Sequence, residues 1–238
     1  MHNKIMNSYI KFFHLLFAFF DQFKNKKICN FFKKKIKNKK ITLIDVGGHK
    51  GETIKLYSKN FTIDKIYSFE PNPFIYESLK TKNSYNVFTY NLGIGNEEKT
   101  EDLNIVVDSQ SSTFNKISEQ SKYFLLKKKL LLPFSKKKYS FKKPVKIIKL
   151  SSFIDEKNIS KIDILKIDTE GYEYKVLKGI NNNHFKLINF ILLEHHYDNM
   201  IDKDYNFSDI SDLLKKNNFI LKFKSKMYFR KTFEYIFE

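Results

Sequence analysis

The sequence predicts an α/β protein, a doubly wound and mostly parallel sheet with a C-terminal antiparallel hairpin. Three observations carry that expectation. A β-branched apolar run, Ile41-Thr42-Leu43-Ile44-Asp45-Val46, is followed by Gly47, Gly48 and Gly51 and then at once by a helix-compatible segment, Thr53–Asn60. Apolar runs of strand length alternate with helical patterns along most of the remaining chain. Two last apolar runs, Phe219–Phe223 and Tyr228–Phe237, are too close together for a crossover and read as antiparallel neighbours.

Composition bounds the rest. A chain of 238 residues holds one full α/β domain plus a short appendage, and 42% hydrophobic content argues against wholesale disorder. The single cysteine, Cys29, excludes an internal disulfide and a zinc-binding cysteine cluster, which fits a cytoplasmic protein. The net charge of +18 suggests nucleic acid or membrane, but of 44 basic residues only Arg230 is arginine. Arginine is the usual reader of phosphates and bases, so this lysine excess looks like codon bias and argues against a nucleic-acid partner.

Residues 1–40 form a basic, aromatic extension to a domain spanning 41–238. The run Tyr9–Phe20 is too short to span a bilayer and lacks a following cleavage site. It reads either as a helix packed on the domain or as one lying on a membrane surface, its lysines near anionic headgroups. Expected strands are Leu43–Val46, Lys65–Glu70, Val87–Leu92, Leu103–Val107, Val145–Leu150, Ile162–Asp168 and Leu187–His195. Expected helices are Thr53–Asn60, Pro73–Lys82, Tyr172–Lys178 and Ser208–Asn217. Residues 116–143 interrupt this rhythm with ten lysines against one acid, Glu119. Such an insert is either a lid favouring an anionic substrate or a solvated surface loop.

Three constellations carry chemistry. The glycine turn after the first strand lets backbone approach a nucleotide-like ligand, with Asp45, Gly47, Gly48 and Gly51 as candidate binding residues. Glu70, at the tip of the second strand, can accept both hydroxyls of a ribose; Asn72 follows, and Pro73 suits the next helix's first turn. Asp45 and Glu52 flank the turn, which disfavours the diphosphate of NAD and suits the cationic sulfonium of S-adenosylmethionine. The third constellation, Ile162 to Glu173, ends in Asp168 and Glu170, and the neighbouring strand ends in Glu194-His195-His196. Asp168, Glu170 and His195 are the candidate catalytic residues. Proton transfer and binding of a divalent metal (through Asp168, Glu194 and His195) both remain open. No Asn-Pro-Pro-Tyr or Asp-Pro-Pro-Tyr tetrad is present, which favours a hydroxyl acceptor over a nitrogen.

Asp45-Val46-Gly47-Gly48-His49-Lys50-Gly51-Glu52-Thr53, Phe69-Glu70-Pro71-Asn72-Pro73, Ser111-Ser112-Thr113-Phe114 and Leu165-Lys166-Ile167-Asp168-Thr169-Glu170-Gly171-Tyr172-Glu173, with Val176 to Gly179, resemble the FkbM-type methyltransferases. The resemblance spans about Ile41 to His196. It implies a Rossmann-like class I fold and S-adenosylmethionine-dependent transfer to a hydroxyl of a sugar, polysaccharide or polyketide. It also implies that Asp45, Gly47 and Gly51 line the methionine end, that Glu70 holds the ribose, and that Asp168 and Glu170 face the reacting groups. The family's Leu-Asp before the signature strand is replaced here by Leu150-Ser151, with Asp155 further on.

The expectation is an O-methyltransferase acting on a glycan or glycolipid precursor in a bacterial cytoplasm, with peripheral membrane contact through residues 1–40. Its rivals are a nucleotide-binding oxidoreductase and a non-catalytic basic binding protein on a methyltransferase scaffold.

Overall fold

The computed structural model describes residues 21–37, 39–106, 112–131, 140–227 and 231–238. The aromatic run Tyr9–Phe20 therefore lies outside the described residues. Helix α1 covers residues 21–36. It is followed by β1 (Ile41–Val46), α2 (Glu52–Asn60), β2 (Ile63–Phe69), α3 (Pro73–Lys80), β3 (Val87–Tyr90), β4 (Gly93–Gly95) and β5 (Lys99–Val106). Next come α4 (Lys122–Leu131), β6 (Ser140–Lys149), α5 (Leu150–Glu156), β7 (Ile162–Ile167), α6 (Glu173–Lys178) and α7 (Asn182–Phe185). The last elements are β8 (Ile188–His196), α8 (Phe207–Lys216), β9 (Leu221–Lys226) and β10 (Thr232–Phe237).

Seven strands form one sheet in the order β3-β2-β1-β7-β8-β10-β9, in which β10 runs against the rest. All six residues of β1 are buried, because it has strands on both sides and helices on both faces. Successive side chains point to opposite faces, so the sequence separates into two layers. Ile44, Val46, Leu165, Ile167, Ile191 and Leu193 pack with α5, α6 and α8. Leu43, Ile164, Leu192 and Ile236 pack on the other face with Ile28, Phe32 and Ile36 of α1, Ile54 and Tyr57 of α2, and Leu79 of α3. Helix α1 thus shares a core layer with the central strands.

Two boundaries have clear local causes. Asn72 caps α3 by accepting from Phe74 N, with Pro73 at the first helical position. Asn206 and Asp209 form a capping box that starts α8.

Two of the expected strands, Leu103–Val107 (described as far as Val106) and Val145–Leu150, are not in the large sheet. They fall in β5 and β6, which pair antiparallel and join β4 in a separate three-stranded sheet. Lys99–Val106 pairs along its whole length with residues 140–147, so the lysine-rich insert lies in the excursion between two paired strands, except for its last four residues, which belong to β6. Strand periodicity marks a strand but not its partner, and the partner here lies across the insert. Helix α4 forms inside the insert, and α5 begins where a strand was expected to end. Among the described residues no helix is long and apolar enough to cross a membrane.

Candidate active site

The carboxyl ends of β1, β2, β7 and β8 border a cavity of about 440 Å³, a size typical of cofactor and small-molecule sites. Its first wall is the turn after β1. Gly47 has φ +92°, and a Cβ there would lie 1.9 Å from the Asp168 carbonyl oxygen. Only glycine lets this turn cross so close to the exit of β7. The Gly47 and Gly48 N–H groups both donate to Phe69 O, at 2.9 and 2.8 Å, which ties the turn to β2. Both glycines border the cavity. Gly51 does not: it begins α2 in the left-handed conformation and packs towards Lys82 and Leu79.

Glu70 borders the cavity and is only 7% exposed. Its Oε2 accepts from His49 N at 2.9 Å and its Oε1 from Asn72 N at 2.8 Å. Burial raises its pKa to about 7, despite the opposing pull of those two N–H groups and of His49. Asn72 lies just outside the cavity wall, where it caps α3 and donates from Nδ2 to Ser112 Oγ at 3.3 Å.

The loop after β7 forms the opposite wall. Asp168, Thr169 and Glu170 border the cavity. Glu170 and Gly171 adopt φ +51° and +94°. The buried Glu173 holds this shape: its Oε1 accepts from Thr169 N (3.2 Å), Thr169 Oγ1 (3.2 Å) and Gly171 N (2.8 Å), and its Oε2 accepts from Tyr205 OH. From the other side, Thr113 Oγ1 donates to Glu170 O at 2.7 Å and Asn115 Nδ2 donates to Gly171 O.

Beneath the cavity lies a row of charges. Two positions beyond the apolar layer of Leu43, Ile164, Leu192 and Ile236, and on the same face, stand Asp45, Lys166, Glu194 and Glu234. Lys166 Nζ lies 3.4 Å from Asp45 Oδ1 and 3.2 Å from Asp168 Oδ2. Burial lowers the pKa of Lys166, but Asp168 and Asp45 outweigh it and the ammonium is held above its usual range. Asp45 is fully buried, accepts from Ser68 Oγ at 2.9 Å, and supports Lys166 instead of bordering the cavity. From α1, Lys24 Nζ reaches Glu234 Oε1 at 2.7 Å.

His195 does not join the site. Strand alternation puts Glu194 and His196 on the cavity face and His195 on the opposite one, among Tyr197, Tyr205 and Phe207. Burial there, with the charges of Lys203 and His196, lowers its pKa to about 3. The histidine in the cavity is His196, whose Nε2 is 3.3 Å from Glu194 Oε1 and 3.5 Å from Glu170 Oε2. Burial opposes its charge, yet Glu170, Asp198 and Glu194 raise its pKa well above 6.5. In return, His196, Lys24 and Lys166 overcome the effect of burial on Glu194 and hold its pKa at about 2. Asp168, Glu194 and His196 each present one ligand atom, all within 4.8 Å of one another.

The cavity thus gathers Gly47, Gly48, Glu70, Asp168 and Glu170, with Asp45, Gly51 and Asn72 behind its walls. Lys166, Lys24 and Glu234 are the charged residues that sequence reasoning passed over, and His196, seen at the same strand end, takes the place expected of His195. Two-residue spacing from Ile164 and Leu192 marks Lys166, Glu194 and His196 as sharing one face. No local signal marks Lys24. At the Leu150-Ser151 departure, Ser151 Oγ accepts from Asn181 N at 2.7 Å, while Asp155 sits on the surface beside His184.

Residues 45–221 match the methyltransferase FkbM domain family. Methyltransferase 1 of Beauveria bassiana (strain ARSEF 2860) is 22% identical over 184 residues, covering 74% of this chain and 71% of that protein. A crystal structure of the methyltransferase FkbM from Methylobacillus flagellatus KT superposes with a TM-score of 0.51 at 13% identity, over 84% of this chain. The chain spans 44% of that protein's length. With the glycine turn, the acid after β2 and the loop after β7 all inside the matched span, this chain belongs to the FkbM methyltransferase family, on a Rossmann-like class I methyltransferase fold.

Proposed function

We propose that the protein is an S-adenosylmethionine-dependent O-methyltransferase acting on a hydroxyl of a sugar, glycan or glycolipid precursor. The observation that carries this reading is that Glu70 and the Asp168–Glu170 loop face one cavity from opposite sides of the Gly47 turn. S-adenosylmethionine supplies an electrophilic methyl group on a cationic sulfur. The Glu70 carboxylate accepts from the ribose hydroxyls, and the open backbone at Gly47 and Gly48 admits the methionine end. Beyond the turn, Thr113, Thr169, Asp168 and Glu170 offer the mixture of hydroxyls and carboxylates that suits a polyhydroxylated acceptor. These residues would orient the acceptor oxygen towards the methyl group, and the Asp168–Glu170 carboxylate pair would receive its proton as the oxygen–carbon bond forms and the sulfur–methyl bond breaks, leaving neutral S-adenosylhomocysteine.

Calorimetry with S-adenosylhomocysteine tests the cofactor, and methyl transfer to a panel of sugars and glycolipids tests the acceptor. Micromolar binding with transfer lost in Asp168→Asn and Glu170→Gln supports the reading. Absence of binding, or stabilisation by NAD alone, overturns it. Peripheral membrane contact belongs to the same reading: the full chain should cosediment with anionic vesicles, and a chain lacking residues 1–20 should not.

A further inference from the structure

The cavity is an acidic exception on a basic chain. The protein has 44 lysines and arginines against 26 acids, yet among the described residues eight carboxylates and only two lysines line the cavity. The lysines are already engaged, Lys24 with Glu234 and Lys166 with Asp45 and Asp168. Around His196 stand Asp168, Glu170, Glu194 and Asp198, more negative charge than Lys166 and one imidazole offset.

His196 is also mounted as a metal-binding histidine is mounted. Its Nδ1 faces the Asp198 carboxylate at 3.7 Å and Thr232 Oγ1 at 3.1 Å. Asp198 is itself fixed, Oδ1 accepting from Met200 N at 3.0 Å. Its Nε2, buried and without a hydrogen-bond partner, points at Glu194 and Glu170. A carboxylate and a hydroxyl behind one ring nitrogen, with the other aimed at two carboxylates, is the outer-shell arrangement that orients a ligating imidazole.

We infer that Asp168, Glu194 and His196 form a binding site for a divalent cation of the Mn²⁺ or Mg²⁺ class, at the acceptor end of the cavity. Two carboxylates and one imidazole suit a hard to borderline ion, and three protein ligands leave positions open for oxygens of a bound acceptor. The site gives a polyhydroxylated acceptor a second anchor besides hydrogen bonds. With Asp168 on the cation, Glu170 takes the acceptor's proton. The role towards the acceptor rests on the proposed methyl transfer; the cation site itself does not.

The test is Mn²⁺ binding to chelator-treated full-length protein, followed by calorimetry and electron paramagnetic resonance, with S-adenosylhomocysteine binding measured on the same samples. The expected result is one Mn²⁺ per chain, with nitrogen modulation from a directly bound imidazole. His196→Ala and Glu194→Gln should weaken binding tenfold or more, and Asp198→Asn by about 10–100-fold. The nitrogen signal needs no variant, so it stands even if a substitution unfolds the protein. No Mn²⁺ binding at millimolar concentration, a bound ion without the nitrogen signal, or affinity unchanged in all three variants overturns the site. Loss of S-adenosylhomocysteine binding alone overturns the cofactor reading instead.

Discussion

Lys24 Nζ lies 2.7 Å from Glu234 Oε1, joining α1 to β10 across 210 residues, with both side chains over 90% buried. This pair lines the cavity, and Asp21, Asn25 and Ile28 of the same helix border it. Removing one partner strands a buried charge. Lys24→Ala should therefore destabilise the protein by about 3–5 kcal/mol in urea unfolding, while Lys24→Met with Glu234→Leu should cost far less. Equal losses in the two proteins would mean that the pair is not isolated from water.

Glu70 predicts a pH dependence in two directions. Its pKa of about 7 in the fold lies above the ordinary 4.5, so its contribution to stability is full below pH 4.5 and is lost as pH rises through 7. Over that window the cofactor-free protein should lose about 3 kcal/mol that Glu70→Gln does not lose. Binding of S-adenosylhomocysteine should move the other way, because ribose hydroxyls donate to the ionised carboxylate: affinity weakens about tenfold per pH unit below 7. Glu70→Ala should lose about tenfold or more in affinity at pH 8, about 1.4 kcal/mol.

The two left-handed glycines of the first turn, Gly47 and Gly51, should behave differently. Gly47→Ala brings a Cβ into the Asp168 carbonyl, so it should cost more than about 2 kcal/mol in thermal unfolding and abolish cofactor binding. Gly51→Ala meets the flexible Lys82 side chain outside the cavity. It should cost about 1–3 kcal/mol of stability through its φ alone and leave cofactor affinity nearly intact.

Glu173 touches no cavity space yet fixes the loop that carries Asp168 and Glu170. Glu173→Gln keeps the shape but offers one good acceptor where the carboxylate had two. Expected are a stability loss of about 1–3 kcal/mol and a fall in kcat larger than any change in cofactor affinity. A variant with lower stability but unchanged kcat would assign Glu173 to folding alone.

His195→Phe should leave S-adenosylhomocysteine affinity unchanged, since His195 faces the aromatic layer under α8. A tenfold loss would place the wrong histidine in the cavity.

Local chemistry made much of this molecule legible. The Gly47–Gly51 turn follows from backbone conformations few other residues adopt, and Glu70 from its place at a strand tip. The Asp168–Gly171 loop follows from a strand ending in acids before a glycine. The apolar alternation of β1, β7 and β8 was likewise enough to require helices on both faces. None of these depends on a distant partner.

Only the tertiary structure decided which charges meet in and beneath the cavity. Asp45, Lys166, Glu194 and Glu234 come from four strands, and Lys24 from a helix far away in sequence. Asp45 and Glu194 read locally as site candidates at strand ends, but Lys166, Glu234 and Lys24 read as a solvated acid or as more lysines in a lysine-rich chain. Burying such groups is tolerable only where an opposite charge meets them, and that meeting is set by strand order and register across the whole sheet. The exchange of His195 for His196 has the same cause. One step along a strand turns a side chain from one face of the sheet to the other, and the sheet's assembly determines which face holds the cavity.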